Sequence, residues 1–152
     1  MEWHRITTAA GADRRSWDPS RGQPLEGEPS VWELRVLVDV LRKFTESPER
    51  CCFCSWTGFG GTRETGAVVT LPGRDYFLSL GEVEDALSFE NPPNLWWPED
   101  RTWCVASEID LLATYVGGDD EAIAMLAGED LELLPVAVED RVDVDADSVN
   151  QD

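Results

Sequence analysis

The sequence predicts an α+β fold, a mostly antiparallel sheet of about five strands covered by two or three helices. Three observations carry that prediction. A capped run from Ser30 to Phe44 repeats its apolar residues at helical spacing. Short runs with two distinguishable faces recur at Arg50 to Trp56, Ala67 to Leu71, Asp75 to Leu80 and Trp103 to Ile109. Pro72-Gly73-Arg74 joins two of these runs in the manner of a hairpin.

Residues 1–29 are rich in Gly, Pro, Ser and charge, and read as an irregular arm anchored by Trp3 and Trp17. The single domain spans 30–138. It opens with Ser30 and Glu33, spaced as a capping box in which each side chain bonds the other's backbone N–H. Val31, Leu34, Leu37, Val38 and Leu41 then form a helix stripe, widened by Trp32, Val36 and Val40, over 31–44. Ser47 and Pro48 end it. Arg50 to Trp56 is apolar on both faces and so belongs inside a sheet. Thr57 to Gly66 is a glycine-rich loop, and 81–89 a short helix with Val83, Ala86 and Leu87 inward.

Asn94, Pro98, Glu99 and Asp100 deliver the chain into the strand Trp103 to Ile109. Its Trp103, Val105, Ser107 and Ile109 share a core face; Cys104, Ala106, Glu108 and Asp110 share the other, acidic at its exit. Leu111 to Val116 either continues this strand or turns away, and Gly117-Gly118 marks a turn. Asp119, Asp120 and Glu121 open a helix with Ile123, Met125 and Leu126 inward, closed by Gly128 in the left-handed region. Leu131 to Leu134, with Val136 to Val138, supplies a last strand bent or placed at an edge by Pro135. Residues 139–152 alternate Val and Asp as a disordered acidic tail.

The charge balance narrows the function. Asp and Glu number 31 against 12 Lys and Arg, a formal net charge of −19. Nucleic-acid phosphates and anionic membranes repel such a chain, because both are bound by Lys and Arg. Direct nucleic-acid binding and membrane binding are therefore not expected. A basic protein partner is the complement, its approach steered by the field. Solubility alone, or a salt-rich cytoplasm, accounts for the same acidity. No apolar run reaches the roughly 20 residues of a membrane span, and no signal-peptide core precedes the domain, so the expected location is cytoplasmic, with reduced thiols.

The sites each have a plainer reading. Cys52 and Cys54 share one strand face that Cys104 approaches, yet a C-x-C within a strand lacks the turn that lets two sulfurs converge on zinc. Buried structural cysteines are the expectation, with no metal and no cofactor. His4 is the only histidine and lies in the arm, which argues against triads and multi-histidine metal sites. No catalytic residue is assigned. Gly58 to Gly61 with Arg63 lacks a phosphate-loop signature. Trp96, Trp97 and Arg101 form the candidate partner-binding set, since two adjacent indoles in an extended segment cannot both point inward. Arg63, Arg74, Glu108 and Asp110 form the alternative, a pocket at the exit of strand 103–110 for an enzyme or small-molecule binder.

Four segments, CFCSWTGFG from Cys52, PGRDY from Pro72, NLWWPEDRTWCVASEID from Asn94 and TYVGG from Thr114, resemble an uncharacterised family of actinobacterial cytoplasmic proteins across roughly 45–136. The resemblance implies a lineage and one compact domain, and brings no catalytic residues. Thr57 departs from it, where an acidic residue is expected between the tryptophan and the glycine. The reading that follows is a non-enzymatic acidic binding protein, a regulator, immunity-type protein or inhibitor, that meets a basic protein.

Overall fold

The computed structural model describes residues 28–59, 67–110 and 113–140. The arm as far as residue 27, the loop 60–66 with Arg63, and the tail from 141 lie outside the described residues. So do His4, Trp3 and Trp17.

The first helix starts as its capping box dictates. The Glu33 N–H donates to the Ser30 hydroxyl at 3.2 Å, and the Ser30 N–H donates to the Glu33 carboxylate at 2.7 Å. Helix α1 runs Val31–Leu41 and tightens into a 3-10 turn over Arg42–Phe44. Leu34, Leu37, Val38, Val40 and Leu41 are buried, whereas Val31, at the margin of the stripe, is exposed.

Six strands follow: β1 (Cys51–Trp56), β2 (Ala67–Leu71), β3 (Arg74–Gly81), β4 (Leu95–Pro98), β5 (Trp103–Ser107) and β6 (Thr114–Gly118). They form one sheet in the order β2-β3-β1-β4-β5-β6, and every neighbouring pair is antiparallel. The β2–β3 turn is built on Pro72, whose ring presets the first turn position, and Gly73, whose φ of 89° only glycine adopts without strain. As its two apolar faces require, β1 is central.

The register aligns Ser79, Phe53, Trp96, Val105 and Val116 in one cross-strand row. This row faces α1, the 3-10 helix Val83–Ser88 and helix α2 (Asp120–Ala127), and its large members join the buried core with Leu34, Leu41, Val83 and Leu126. Trp96 stacks on Phe53 at 6.1 Å between ring centroids and meets Trp103 edge-on at 5.1 Å. These aromatic contacts add specific geometry to the largest apolar areas in the core.

Several expectations give way here, each for a physical reason. Leu95–Pro98, read as part of a turn, is a strand, and Gly117-Gly118 closes β6 instead of turning. The segment 83–88 winds with three residues per turn, which aligns Val83 and Ala86 with Phe89 on the core and turns Leu87 to solvent. In α2 only Ala122 and Leu126, one helical repeat apart, are buried; Ile123 and Met125 flank that narrow stripe and are partly exposed. Gly128 sits at φ −81°, right-handed, and caps α2 with N–H bonds to the Ala124 and Met125 carbonyls. Ile109 falls in a turn past the end of β5, and residues 131–138 form no strand. Pro135 lacks a donor, and no described segment pairs with that run.

Candidate functional site

The strand β4 and the turn behind it hold the predicted partner-binding residues, and the structure separates them. Trp96 is 1 % exposed, an element of the core, and takes no part in any surface. Trp97, on the opposite face of the same strand, is half-buried, and Arg101 is exposed at the turn. Arg101 adopts φ 58°, the left-handed region that side chains other than Gly or Asn rarely occupy. The tight turn imposes it: the Arg101 N–H donates to the Pro98 carbonyl at 3.0 Å before the chain re-enters the sheet.

Asp100 fixes that turn to the rest of the molecule. Its Oδ2 accepts from the Thr45 hydroxyl and the Glu46 N–H, both at 2.7 Å. Its Oδ1 accepts from the Thr102 hydroxyl at 2.9 Å and the Thr102 N–H at 3.2 Å. Desolvation works against the charged carboxylate, but these bonds, Thr45 first, hold its pKa below the ordinary value. Sequence reading assigned Asp100 only to the turn. Thr102 is local, but the partners that make the latch, Thr45 and Glu46, lie more than 50 residues away in the chain, so no local pattern betrays it.

The second face of the sheet is the more consequential surface. Ala67, Leu78, Cys54, Leu95, Ala106 and Tyr115 align in a row across all six strands. Cys52 pairs with Trp97 on one side and Leu80 on the other. Of these, Cys52, Leu78, Leu95, Trp97, Ala106 and Tyr115 are half-buried and Leu80 is exposed. The buried residues of α1 and of the 3-10 helix 83–88, with Leu126 of α2, belong to the cluster on the other face. Cys54, at the centre of the row, is buried and Ala67, at its end, is exposed. Phe59, from the 3-10 turn Thr57–Phe59, meets Trp56 of this face edge-on at 5.4 Å, while the other apolar side chains of the row keep part of their surface in water. The signal in the sequence was the alternation within each strand, most of all in Cys52-Phe53-Cys54, whose two faces are equally apolar.

At the margin of this face the structure brings together three of the four residues expected to line a pocket. Arg74 donates from Nη2 to Asp110 at 2.6 Å, while Nη1 lies 2.7 Å from Glu108, a charge contact not aligned as a hydrogen bond. Its guanidinium carbon lies 5.7 Å from the Trp56 ring centroid, within cation–π range. Desolvation opposes its charge, but the Asp110 hydrogen bond and the Glu108 and Asp110 charges keep its pKa above the ordinary value. The three groups neutralise one another's charge and tie the start of β3 to the exit of β5. Arg63 lies outside the described residues.

All four cysteines are free thiols. Burial pushes the Cys51 thiol up to about 12 and the Cys54 thiol up to about 11, and it raises Cys52 and Cys104 as well. Neutral thiols of this kind are poor nucleophiles and pack as small apolar groups. Among the described residues no three His, Cys, Asp or Glu side chains are placed to hold a metal ion, and no helix is long and apolar enough to cross a membrane.

No family model, no curated protein and no solved structure matches the chain.

Proposed function

We propose that the chain is a non-enzymatic acidic binding protein of the cytoplasm, acting as a regulator, immunity-type protein or inhibitor on a basic protein partner. Its contact surface is the second face of the sheet, with Trp97 as anchor and Arg101 beside it at the β4–β5 turn. One observation carries the reading: an apolar row crosses six strands, part-exposed on both sides of the buried Cys54, in a chain of net charge −19. Contiguous apolar surface on a soluble domain marks an interaction site, and a half-buried indole supplies much of the binding energy of such sites. The surrounding carboxylates speed the approach of a basic protein and slow that of an acidic one. The same segments carry our inference of an actinobacterial lineage.

Selection from an unbiased library of displayed peptides on the immobilised protein tests this while the partner is still unidentified. Selected peptides are expected to place Lys or Arg beside apolar residues. Their binding should weaken as salt rises, and Trp97→Ser should weaken it by tenfold or more. Selected binders without basic residues, or binding indifferent to Trp97→Ser, would refute the proposal.

A further inference from the structure

Strand β2 differs from the rest of the sheet in what surrounds it. Ala67–Leu71 (AVVTL) ends the six-strand order, and no described strand lies beyond it. Ala67, Val68, Thr70 and Leu71 are exposed, Val68 by 54 %, and Val69 is half-buried. An apolar strand thus meets water on both of its faces. Edge strands are ordinarily blunted by lysine, an internal proline or a bulge, because their outer backbone groups pair readily with another strand. β2 carries neither charge nor proline, and its register with β3 runs unbroken.

The β2–β3 turn fixes which backbone groups face outward. Leu71 pairs with Arg74 across the two-residue turn Pro72-Gly73, and the pair that closes such a turn is a hydrogen-bonded one. Hydrogen-bonded and non-hydrogen-bonded pairs alternate along an antiparallel ladder. Ala67, Val69 and Leu71 therefore direct their N–H and C=O groups at β3, and Val68 and Thr70 direct theirs away from the sheet.

Charge selects the occupant of this edge. Between Ala67 and Gly81 the only charges are Arg74 and Asp75. Arg74 is paired with Glu108 and Asp110, and Asp75 accepts from the Thr70 hydroxyl at 2.7 Å. At the opposite edge, β6 runs directly into Asp119, Asp120 and Glu121. The two edges are five strand spacings apart, roughly 24 Å, far beyond the screening length of about 8 Å at 0.15 M salt. A second copy meeting β2 with its own β2 thus keeps its acidic edge away, and a basic strand gains little there.

We infer that β2 is a self-association edge, at which two copies pair their β2 strands antiparallel about a two-fold axis through Val69. Centred there, the pairing uses the whole strand. Val68 of each copy exchanges both backbone hydrogen bonds with Thr70 of the other, and the two Val69 side chains meet at the axis. A two-fold contact uses the same edge of both copies. The edges left over are both β6, each beside Asp119, Asp120 and Glu121, so like charge stops growth at the dimer. The sheet face around Trp97 is not used, and the inference is independent of the reading as a binder of a basic protein.

Sedimentation of the full-length protein from roughly 1 µM to 1 mM, with amide hydrogen exchange at both ends of that range, is the test. The expected result is a monomer–dimer equilibrium that tightens as salt rises, because both copies are acidic. Rising salt acts in the opposite sense on a basic peptide. Protection at Val68 and Thr70 should grow with protein concentration. Val68→Lys, which sets like charges close to the axis, should weaken the dimer tenfold or more. Val68→Pro should do the same, since it removes an outward donor that β2 does not use to pair with β3. Val68 is exposed, so the melting temperature of the dilute protein should be kept in Val68→Lys; if either variant unfolds, the exchange of the unsubstituted protein decides. Trp97→Ser should leave the dimer unchanged. A chain monomeric throughout at low and high salt, a dimer indifferent to both Val68 variants, protection at Val68 and Thr70 that does not vary with concentration, or assembly beyond two copies would overturn the inference. Each of those results leaves the sheet-face reading to be judged by the library selection.

Discussion

Trp103 carries a cost that its burial conceals. It is 2 % exposed, and its indole N–H finds no hydrogen-bond partner among the described residues. An unpaired buried donor costs about 1–3 kcal/mol, while trimming an indole to a phenyl forfeits apolar burial worth about 1–2 kcal/mol. The two effects oppose each other. Trp103→Phe should therefore change the free energy of unfolding by less than about 1 kcal/mol, whereas Trp103→Ala should lose about 3–5 kcal/mol through the cavity it leaves. Urea unfolding of the two variants checks this; a Phe variant as damaged as the Ala variant would mean that the indole N–H is satisfied. Asn94 is the contrasting case. It is buried with its polar groups engaged: its N–H donates to Cys54, its Oδ1 accepts the Trp56 N–H at 2.9 Å, and its Nδ2 donates to the Ser107 carbonyl at 3.3 Å.

At the scale of elements, the latch through Asp100 decides how the β4–β5 hairpin sits, and it makes that hairpin sensitive to acid. The folded carboxyl titrates below its ordinary range, so its contribution is complete above that range and is lost as pH falls through the folded value. Asp100→Asn should be less stable than the parent at pH 7, and the gap should close as pH drops below the usual carboxylate range. Urea midpoints at neutral and acid pH measure it. A gap of the same size at both would assign the loss to shape instead of charge. The hairpin also shows what the sequence made legible. Period and caps located α1, β1, β2, β3 and β5, because each satisfies its own backbone or buries a repeating face. Leu95–Pro98 escaped because proline and adjacent tryptophans resemble a turn, and only pairing with Cys51 to Cys54 makes it a strand. Leu131 to Val138 misled in the opposite sense: it has a strand's composition without a neighbour among the described residues, and composition cannot supply the neighbour. For the tryptophan pair the reading was half complete, since alternation required one of Trp96 and Trp97 to face outward but did not say which.

For the whole molecule, the charge proposed to steer a basic partner also strains the fold. Ten carboxylates between Thr102 and Asp140 have no Lys or Arg within that stretch, and Arg74 serves two of them from elsewhere in the chain. Like charges held on a compact surface repel, and unfolding relieves them. Salt shortens the reach of that repulsion from about 30 Å at 0.01 M to about 8 Å at 0.15 M and about 3 Å at 1 M. The melting temperature should therefore climb steeply between about 10 and 150 mM sodium chloride and flatten beyond, where screening is nearly complete. Sulfate separates this from general exclusion of salt from protein surfaces, because exclusion continues to stabilise into the molar range. A melting temperature constant from low to molar chloride would mean that the acidic surface costs the fold nothing, and would remove adaptation to a salt-rich cytoplasm as its explanation. A partner seated on the surface would reproduce part of the effect at low salt, since its Lys and Arg neutralise the same carboxylates that chloride solutions only screen.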